Sequence, residues 1–316
     1  MNKLYAPLLI PTLNRFDHFS SCVNSLLQCE LSSETDLYIA LDYPLKEQHY
    51  DGYNKIKGFI EKIDGFKSVN VLQREHNYGA HQNIHEAIDF LFQKYETLIL
   101  TEDDNVFSTD FLLFMNKSFE TYKDSLDVFS VCGYNYPVEI PKSYENEVYL
   151  WTGYSAWGVG FWRSKFVNVN WTEETVHSDV KTFLHDYRKV VQLDKIANNY
   201  VPALLHMHNI QKIHGDTYIC MYQFLNKMVS VFPVISRVRN MGHDGSGINC
   251  GTMEDDFFSV QEIYTGTHTY KIPKLNSTNS IINKILYNHF KTDWNSKMKL
   301  IIKLILFRLG FTNNKQ

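Results

Sequence analysis

The sequence predicts an α/β fold in which a mostly parallel sheet carries helices on both faces. Two observations predict it. Apolar runs of strand length alternate with segments of helical periodicity as far as residue 134, and polar residues gather where those runs end. No Pro/Gly/Ser linker, internal repeat or low-complexity tract divides the chain.

Residues 4–10 (LYAPLLI) read as a short buried strand followed by the turn PTLNR. Over 16–29, Phe16, Phe19, Val23, Leu26 and Leu27 recur at helical spacing. DLYIALD (36–42) is a second strand, and 48–63 a helix with Ile56, Phe59, Ile60 and Ile63 on one side. SVNVLQR (68–74) is a third strand, followed by a helix over 80–95 bearing Ile84, Ala87, Ile88, Leu91 and Phe92. TLILTED supplies the fourth strand, a helix starts at Thr109, and VFSVCGY (128–134) is the fifth strand.

Composition narrows the function classes. A chain of 316 residues can bury a sizeable core as one large domain, with or without an appendage. The five cysteines (22, 29, 132, 220 and 250) have neither metal-like nor paired spacing, which favours a reducing compartment. APLLIPT is too short and too interrupted for a signal-peptide core, and no run reaches the roughly 20 apolar residues of a membrane span. The net charge of −4 divides unevenly: residues 281–316 carry seven Lys/Arg and one acid, so the tail is +6 and the rest −10. An acidic body argues against a nucleic-acid partner.

The polar strand ends are Thr12 and Asn14, Asp42, Arg74, and the triplet Glu102-Asp103-Asp104. A parallel sheet binds ligands along that carboxyl edge. Three adjacent carboxylates repel one another and call for a positive partner. The alternative role is capping, with Asp104 or Ser108 opening the helix from Thr109. A second EDD at 254–256 follows NCGTM rather than a buried strand and reads as a solvated helix start.

PTLNR, the second-strand Asp42, the R..N.G segment (Arg74, Asn77, Gly79) and the fourth-strand triplet together resemble nucleotide-sugar glycosyltransferases of the Rossmann-like GT-A fold. The likeness is greatest to family 2 inverting enzymes and the N-acetylglucosaminyltransferase I group, and covers about residues 4–250. It implies that Thr12 and Asn14 contact the nucleoside, with Arg15 on the same donor edge, and that Asp42 accepts from uracil or ribose. Arg74, with Asn77 and Gly79, would lie beside base or diphosphate, Asp103 would serve the ribose with Glu102 beside it, and Asp104 would ligate Mn²⁺ or Mg²⁺. Four tryptophans, Trp151, Trp157, Trp162 and Trp171, fall in or just after LWTGYSAWGVGFWRSKF; two of them are expected in the core, and Tyr154 and Trp157 are expected as the exposed, acceptor-facing pair. Asp216, in KIHGDTYICMYQFL, resembles the group's general base, with Gly215 standing where that group has Trp; a plain N-cap is the other reading. Asp244 and Glu262 are next in line.

SRVRNMGHDGSGINC is similar to an N.G.DGSG stretch of bacterial relatives and is expected to be a mobile loop that closes over a diphosphate. Arg237, Arg239 and His243 would supply its positive or metal-binding groups. His206 and His208, read as strand residues, would share one side. From 281 a long helix is expected, with Trp294, Met298, Ile301, Ile302, Ile305 and Leu309 as one apolar stripe among lysines. That suits a peripheral membrane anchor, with a homodimer contact or domain packing as alternatives.

The expected organisation is a catalytic domain over 1–275, its nucleotide half near 1–135 and acceptor half near 136–275, then a basic helical tail over 276–316. The expected activity is inverting, metal-dependent transfer of a sugar from a UDP-sugar to a glycan or lipid-linked glycan, at the cytoplasmic face of a bacterial membrane. A sugar nucleotidyltransferase would carry a glycine-rich basic loop after its first strand, and PTLNRFDH has no glycine. A non-catalytic carbohydrate binder would bind without turnover.

Overall fold

The computed structural model describes residues 4–246, 257–266 and 271–311. The first half alternates as expected: β1 (Leu8–Thr12), α1 (Phe16–Leu27), β2 (Asp36–Leu41), α2 (Tyr50–Ile60), β3 (Ser68–Gln73), α3 (Gly79–Phe92) and β4 (Thr97–Leu100). A short β5 (Asn105–Phe107), α4 (Phe111–Tyr122) and β6 (Val128–Cys132) follow. The second half holds β7 (Val148–Trp151), β8 (Val159–Trp162), α5 (Arg163–Phe166), α6 (Glu173–His185), α7 (Tyr187–Asp194), α8 (Tyr200–Ile210) and α9 (Gly215–Leu225). After them come β9 (Val229–Pro233), β10 (Val238–Asn240), α10 (Phe257–Val260), α11 (Ser280–His289) and α12 (Trp294–Arg308).

Eight strands form one sheet in the order β3-β2-β1-β4-β8-β6-β9-β7. β3, β2, β1 and β4 pair in parallel, and β8 is antiparallel to both β4 and β6. β9 runs parallel to β6, and β7 antiparallel to β9. Only β8 and β7 are therefore reversed within that sheet. β5 and β10 form a separate antiparallel pair, Asn105 opposite Asn240.

Strand alternation feeds two cores, one on each sheet face. In β1, Leu8 and Ile10 join the core under α1, α2 and α4, whereas Leu9 joins the core that includes α3 and the later helices. β2 is buried along its whole length between neighbours on both sides, while the edge strand β3 is half-exposed.

Three expectations change. The tail is two helices, because the chain breaks after His289 and restarts where the Asp293 side chain accepts from Ser296 N at 3.0 Å. His206 and His208 lie on α8, where two residues turn about 200°. They diverge accordingly, His206 toward His214 at 5.9 Å and His208 toward Phe307 at 5.0 Å. Neither Asp104 nor Ser108 caps α4; its N-cap position is Asp110, and Ser108 Oγ donates to that carboxylate at 2.5 Å. The second acidic triplet lies outside the described residues.

β10 reaches its place through Arg237, which is buried completely rather than offered to a ligand as expected. Its Nε lies 3.3 Å from the equally buried Asp110, Nη1 donates to Ile235 O at 2.6 Å, and the guanidinium sits over the rings of Phe114 and Tyr264. Removing one partner of such a pair strands the other charge in the interior. Arg237→Met should therefore cost about 3–5 kcal/mol of unfolding free energy in urea titration. A loss within error of zero would show that the pair is not a strut.

Candidate functional site

β4 ends in the triplet, and the structure supplies its positive partner. Arg15, at the N-cap position of α1, bridges the last two carboxylates: Nη2 pairs with Asp103 Oδ1, and Nη1 lies 2.8 Å from Asp104 Oδ2. β1 and β4 are parallel neighbours, so the loop after one delivers its cation to the acids after the other. Thr12 Oγ1 donates to Asp103 Oδ2 at 2.7 Å, and Asn240 Nδ2 donates to Asp104 Oδ1 at 2.9 Å. Both acids are nearly inaccessible. Burial of the guanidinium opposes its charge, but Asp103 and Asp104 outweigh that and hold Arg15 above its ordinary value. Burial lifts Asp103 above the usual carboxylate range, against the pull of Arg15.

Glu102 has no such partner among these contacts. Burial first, then the charges of Asp104, Asp216 and Asp103, push it to about 8. The crowd thus sheds charge in two ways, through Arg15 and through a proton held on Glu102.

Asp216 comes to the same place from α9. It lies in the first turn, one residue inside the helix, and His214 occupies the N-cap position, so the plain-cap reading fails. Its carboxylate is open to solvent yet ringed by protein, with Ala156 N at 3.4 Å, and this enclosure raises it to about 6. Glu102 and Asp216 are close enough for Asp216 to be one of the charges raising Glu102.

The 240–246 segment passes over Asp104. Met241 N donates to Asp104 O at 2.8 Å, and a Cβ at Gly242 would fall 2.2 Å from Asp104 Oδ2, so only glycine fits there. The segment is latched to α1: His18 Nε2 lies 2.9 Å from Asp244 Oδ2 and 3.2 Å from Ser246 Oγ. The Ser246 hydroxyl and N–H, and His18, hold Asp244 far below the usual carboxylate range, which disqualifies it as a base near neutral pH. Asp17, His18, Asp104, Arg239, His243 and Asp244 line an open cleft of about 630 Å³. His243 stacks on Phe258 and meets Trp157 edge-on at 5.8 Å. Gly247 and Cys250 lie outside the described residues.

The other expected donor residues sit along the β2 and β3 ends. Asp42 is surrounded by protein donors: Tyr43 N, Tyr78 N and Gly79 N at 2.8–2.9 Å, and Asn77 Nδ2 at 3.3 Å. Four contacts saturate a carboxylate, so Asp42 fixes the start of α3. Gly79 has φ +74°, which favours glycine at that turn. Arg74 turns to Asn83 and sits over Tyr78, away from the triplet. Asn14 offers its carbonyl to the close approach of α2, where a Cβ at Gly52 would fall 1.8 Å from that oxygen.

The acceptor pair needs correction. Tyr154 is buried, because it packs in the same core as Trp151 and Tyr200; Trp157 is half-buried beside His243. Trp151 and Trp162 are core, and Trp171 is half-buried on Phe166. Asn240 and His18 were not singled out by sequence, and Gly242 was expected only as one of three glycines (242, 245 and 247) that make the loop mobile.

Among the described residues, no group of three or more His, Cys, Asp or Glu could hold a metal ion unaided. One carboxylate at the cleft, with Asp103 behind it, instead suits a hard cation that takes its remaining oxygens from phosphates and water.

No family model matches the chain, and no curated protein sequence matches it. Solved structures similar to part of it include mannosyltransferase PcManGT from Pyrobaculum calidifontis in complex with GDP-Man and Mn²⁺, at 13% identity and TM-score 0.36, over 51% of this chain and 46% of that one. S. aureus TarS is similar at 14% identity and TM-score 0.33, over 49% of this chain and 28% of that one. TarS 1-349 in complex with UDP-GlcNAc is similar at 13% identity and TM-score 0.34, over 52% of this chain and 46% of that one. The chain thus spans less than half the length of each, and the likeness is partial.

The elevated Glu102 has a consequence for stability. Its folded value lies above its ordinary one, so its contribution is complete below the ordinary carboxylate range and is lost as pH rises through about 8. Glu102→Gln should therefore melt with wild type at acid pH and at higher temperature above pH 8. Equal melting temperatures across that range would show that Glu102 titrates normally.

Proposed function

We propose that the chain is an inverting, divalent-cation-dependent glycosyltransferase that moves one sugar from a UDP-sugar to a hydroxyl of a glycan or lipid-linked glycan. The observation that carries this reading is the meeting of two unlike acid sites. Asp103 and Asp104, charge-compensated by Arg15, stand at the end of β4, and Asp216 of α9, solvent-open and raised to about 6, is near enough to Glu102 of the same triplet to raise it.

On this reading Asp104 would hold Mn²⁺ or Mg²⁺ together with the donor diphosphate, and the bound ion would supply charge stabilisation to the leaving UDP. Thr12 and Arg15 orient Asp103 toward the ribose, and the Asn77–Gly79 turn, fixed by Asp42, shapes the wall beside the base. Arg239 and His243 line the cleft where a diphosphate would lie. Asp216 accepts the acceptor hydroxyl's proton as the new C–O bond forms at the anomeric carbon and the bond to UDP breaks. The single displacement inverts that carbon. Trp157 offers a half-open aromatic face near the transferred sugar.

A base with a carboxyl near 6 is charged at neutral pH and still accepts a proton readily. Transfer should rise with pH through about 6 on the acid limb of kcat/KM. Asp216→Asn should lower kcat by about 10²–10⁴-fold while the UDP-sugar Kd stays unchanged. Unchanged kcat would place the base elsewhere; joint loss of binding and turnover would put Asp216 in the donor site.

A further inference from the structure

The second tail helix is held to the body by the face turned away from the stripe expected from its sequence. Leu304 and Phe307 are buried, Leu300 packs beside them, and the Phe307 ring lies 4.8 Å from His185 and 5.0 Å from His208. Arg308 Nε and Nη2 donate to Leu184 O at 3.0 and 2.8 Å, which pins the end of α12 to α6.

The opposite face is left bare. Trp294 is 72% exposed, Ile301, Ile302 and Ile305 about half, and Leu309 66%. With Met298 they follow positions i, i+4, i+7, i+8, i+11 and i+15, one continuous helical stripe. Single exposed apolar residues need no explanation, but six in a row on one face do. Cations border the stripe on both sides: Lys299 and Lys303, both exposed, on one flank, and Lys297 and Arg308 on the other. Over residues 281–311 there are six Lys/Arg and a single acid, Asp293, whose carboxylate caps α12.

We propose that this outer face of α12 is a docking surface for an anionic lipid bilayer. The commitment to lipid over a second protein copy rests on charge. A two-fold contact would set the lysine rows of two copies against each other, whereas anionic headgroups neutralise them while the stripe enters the acyl boundary. At 15 residues α12 is about 22 Å long, short of the roughly 30 Å hydrocarbon core, and so lies in the surface rather than crossing it. Among the described residues, no helix is long and apolar enough to cross a membrane.

Docking would also orient the cleft. Phe290, between the two tail helices, stacks on Trp151 and meets Tyr136 edge-on, and the Tyr136 hydroxyl donates to Tyr154 O. The packed face of α12 and Tyr154, two residues before the Ala156 N–H that meets Asp216, thus share one packed core.

The test is co-sedimentation of the purified chain with vesicles of phosphatidylcholine alone and of phosphatidylcholine mixed equally with phosphatidylglycerol. Wild type should partition onto the anionic vesicles and be released by high salt. Lys299→Gln with Lys303→Gln should weaken partition about 25-fold at low salt, about fivefold per cation. Ile301→Ser with Ile305→Ser, both outside the packed face, should weaken it at least tenfold with an unchanged melting temperature. Absence of wild-type binding to anionic vesicles would overturn the proposal, as would full binding by either variant. A dimer in sedimentation equilibrium that the Ser variant alone abolishes, without vesicle binding, would assign the stripe to a second copy.

Discussion

The Arg15 bridge to Asp103 and Asp104 is the interaction on which the site depends. Without a cation between them, two buried adjacent carboxylates would repel and would also face a large desolvation cost. The bridge has supports on every side. Thr12 holds the far oxygen of Asp103, Asn240 holds the far oxygen of Asp104, and Gly242 lets the covering segment pass at contact distance. Asn240 is in turn placed by β10, and β10 by the buried Arg237–Asp110 pair. A structural ion pair in the core thereby fixes the bridge at the carboxyl edge of the sheet.

The charge state of the free site follows. Arg15 compensates one carboxylate and Glu102 keeps its proton at neutral pH, so the site is less negative than its four acids suggest. A divalent ion arriving with a diphosphate would reverse that logic, because added positive charge lowers the carboxyls it approaches. The empty site thus keeps a net negative charge, smaller than that of four ionised acids, and can hold a cation once the diphosphate contributes its own oxygens. Asp244 stays outside this economy of protons, fully ionised in its latch to His18.

Local pattern carried much of the fold. Alternation from β1 to β6 was legible because each strand is a short apolar run and each helix an amphipathic one. The tryptophan segment was half legible: a buried ring and a ligand-facing ring look alike in sequence, so Tyr154 was misplaced while Trp151 and Trp162 behaved as core. LLHMHN read as strand because a short apolar run has no decisive period, and α8 claimed it. The partners of the triplet were beyond reach of spacing, since Arg15 lies 88 residues from Asp103 and Asn240 lies 136 from Asp104. Sheet order brings them together, and sheet order is not a local property.

The most direct measurement of the central claim is Mn²⁺ affinity by electron paramagnetic resonance, with and without UDP. A site of one cleft-lining carboxylate bridged by Arg15 should bind the ion weakly alone and at least tenfold more tightly with saturating UDP. Affinity that UDP leaves unchanged would contradict the account, whether the ion binds tightly in both conditions or in neither.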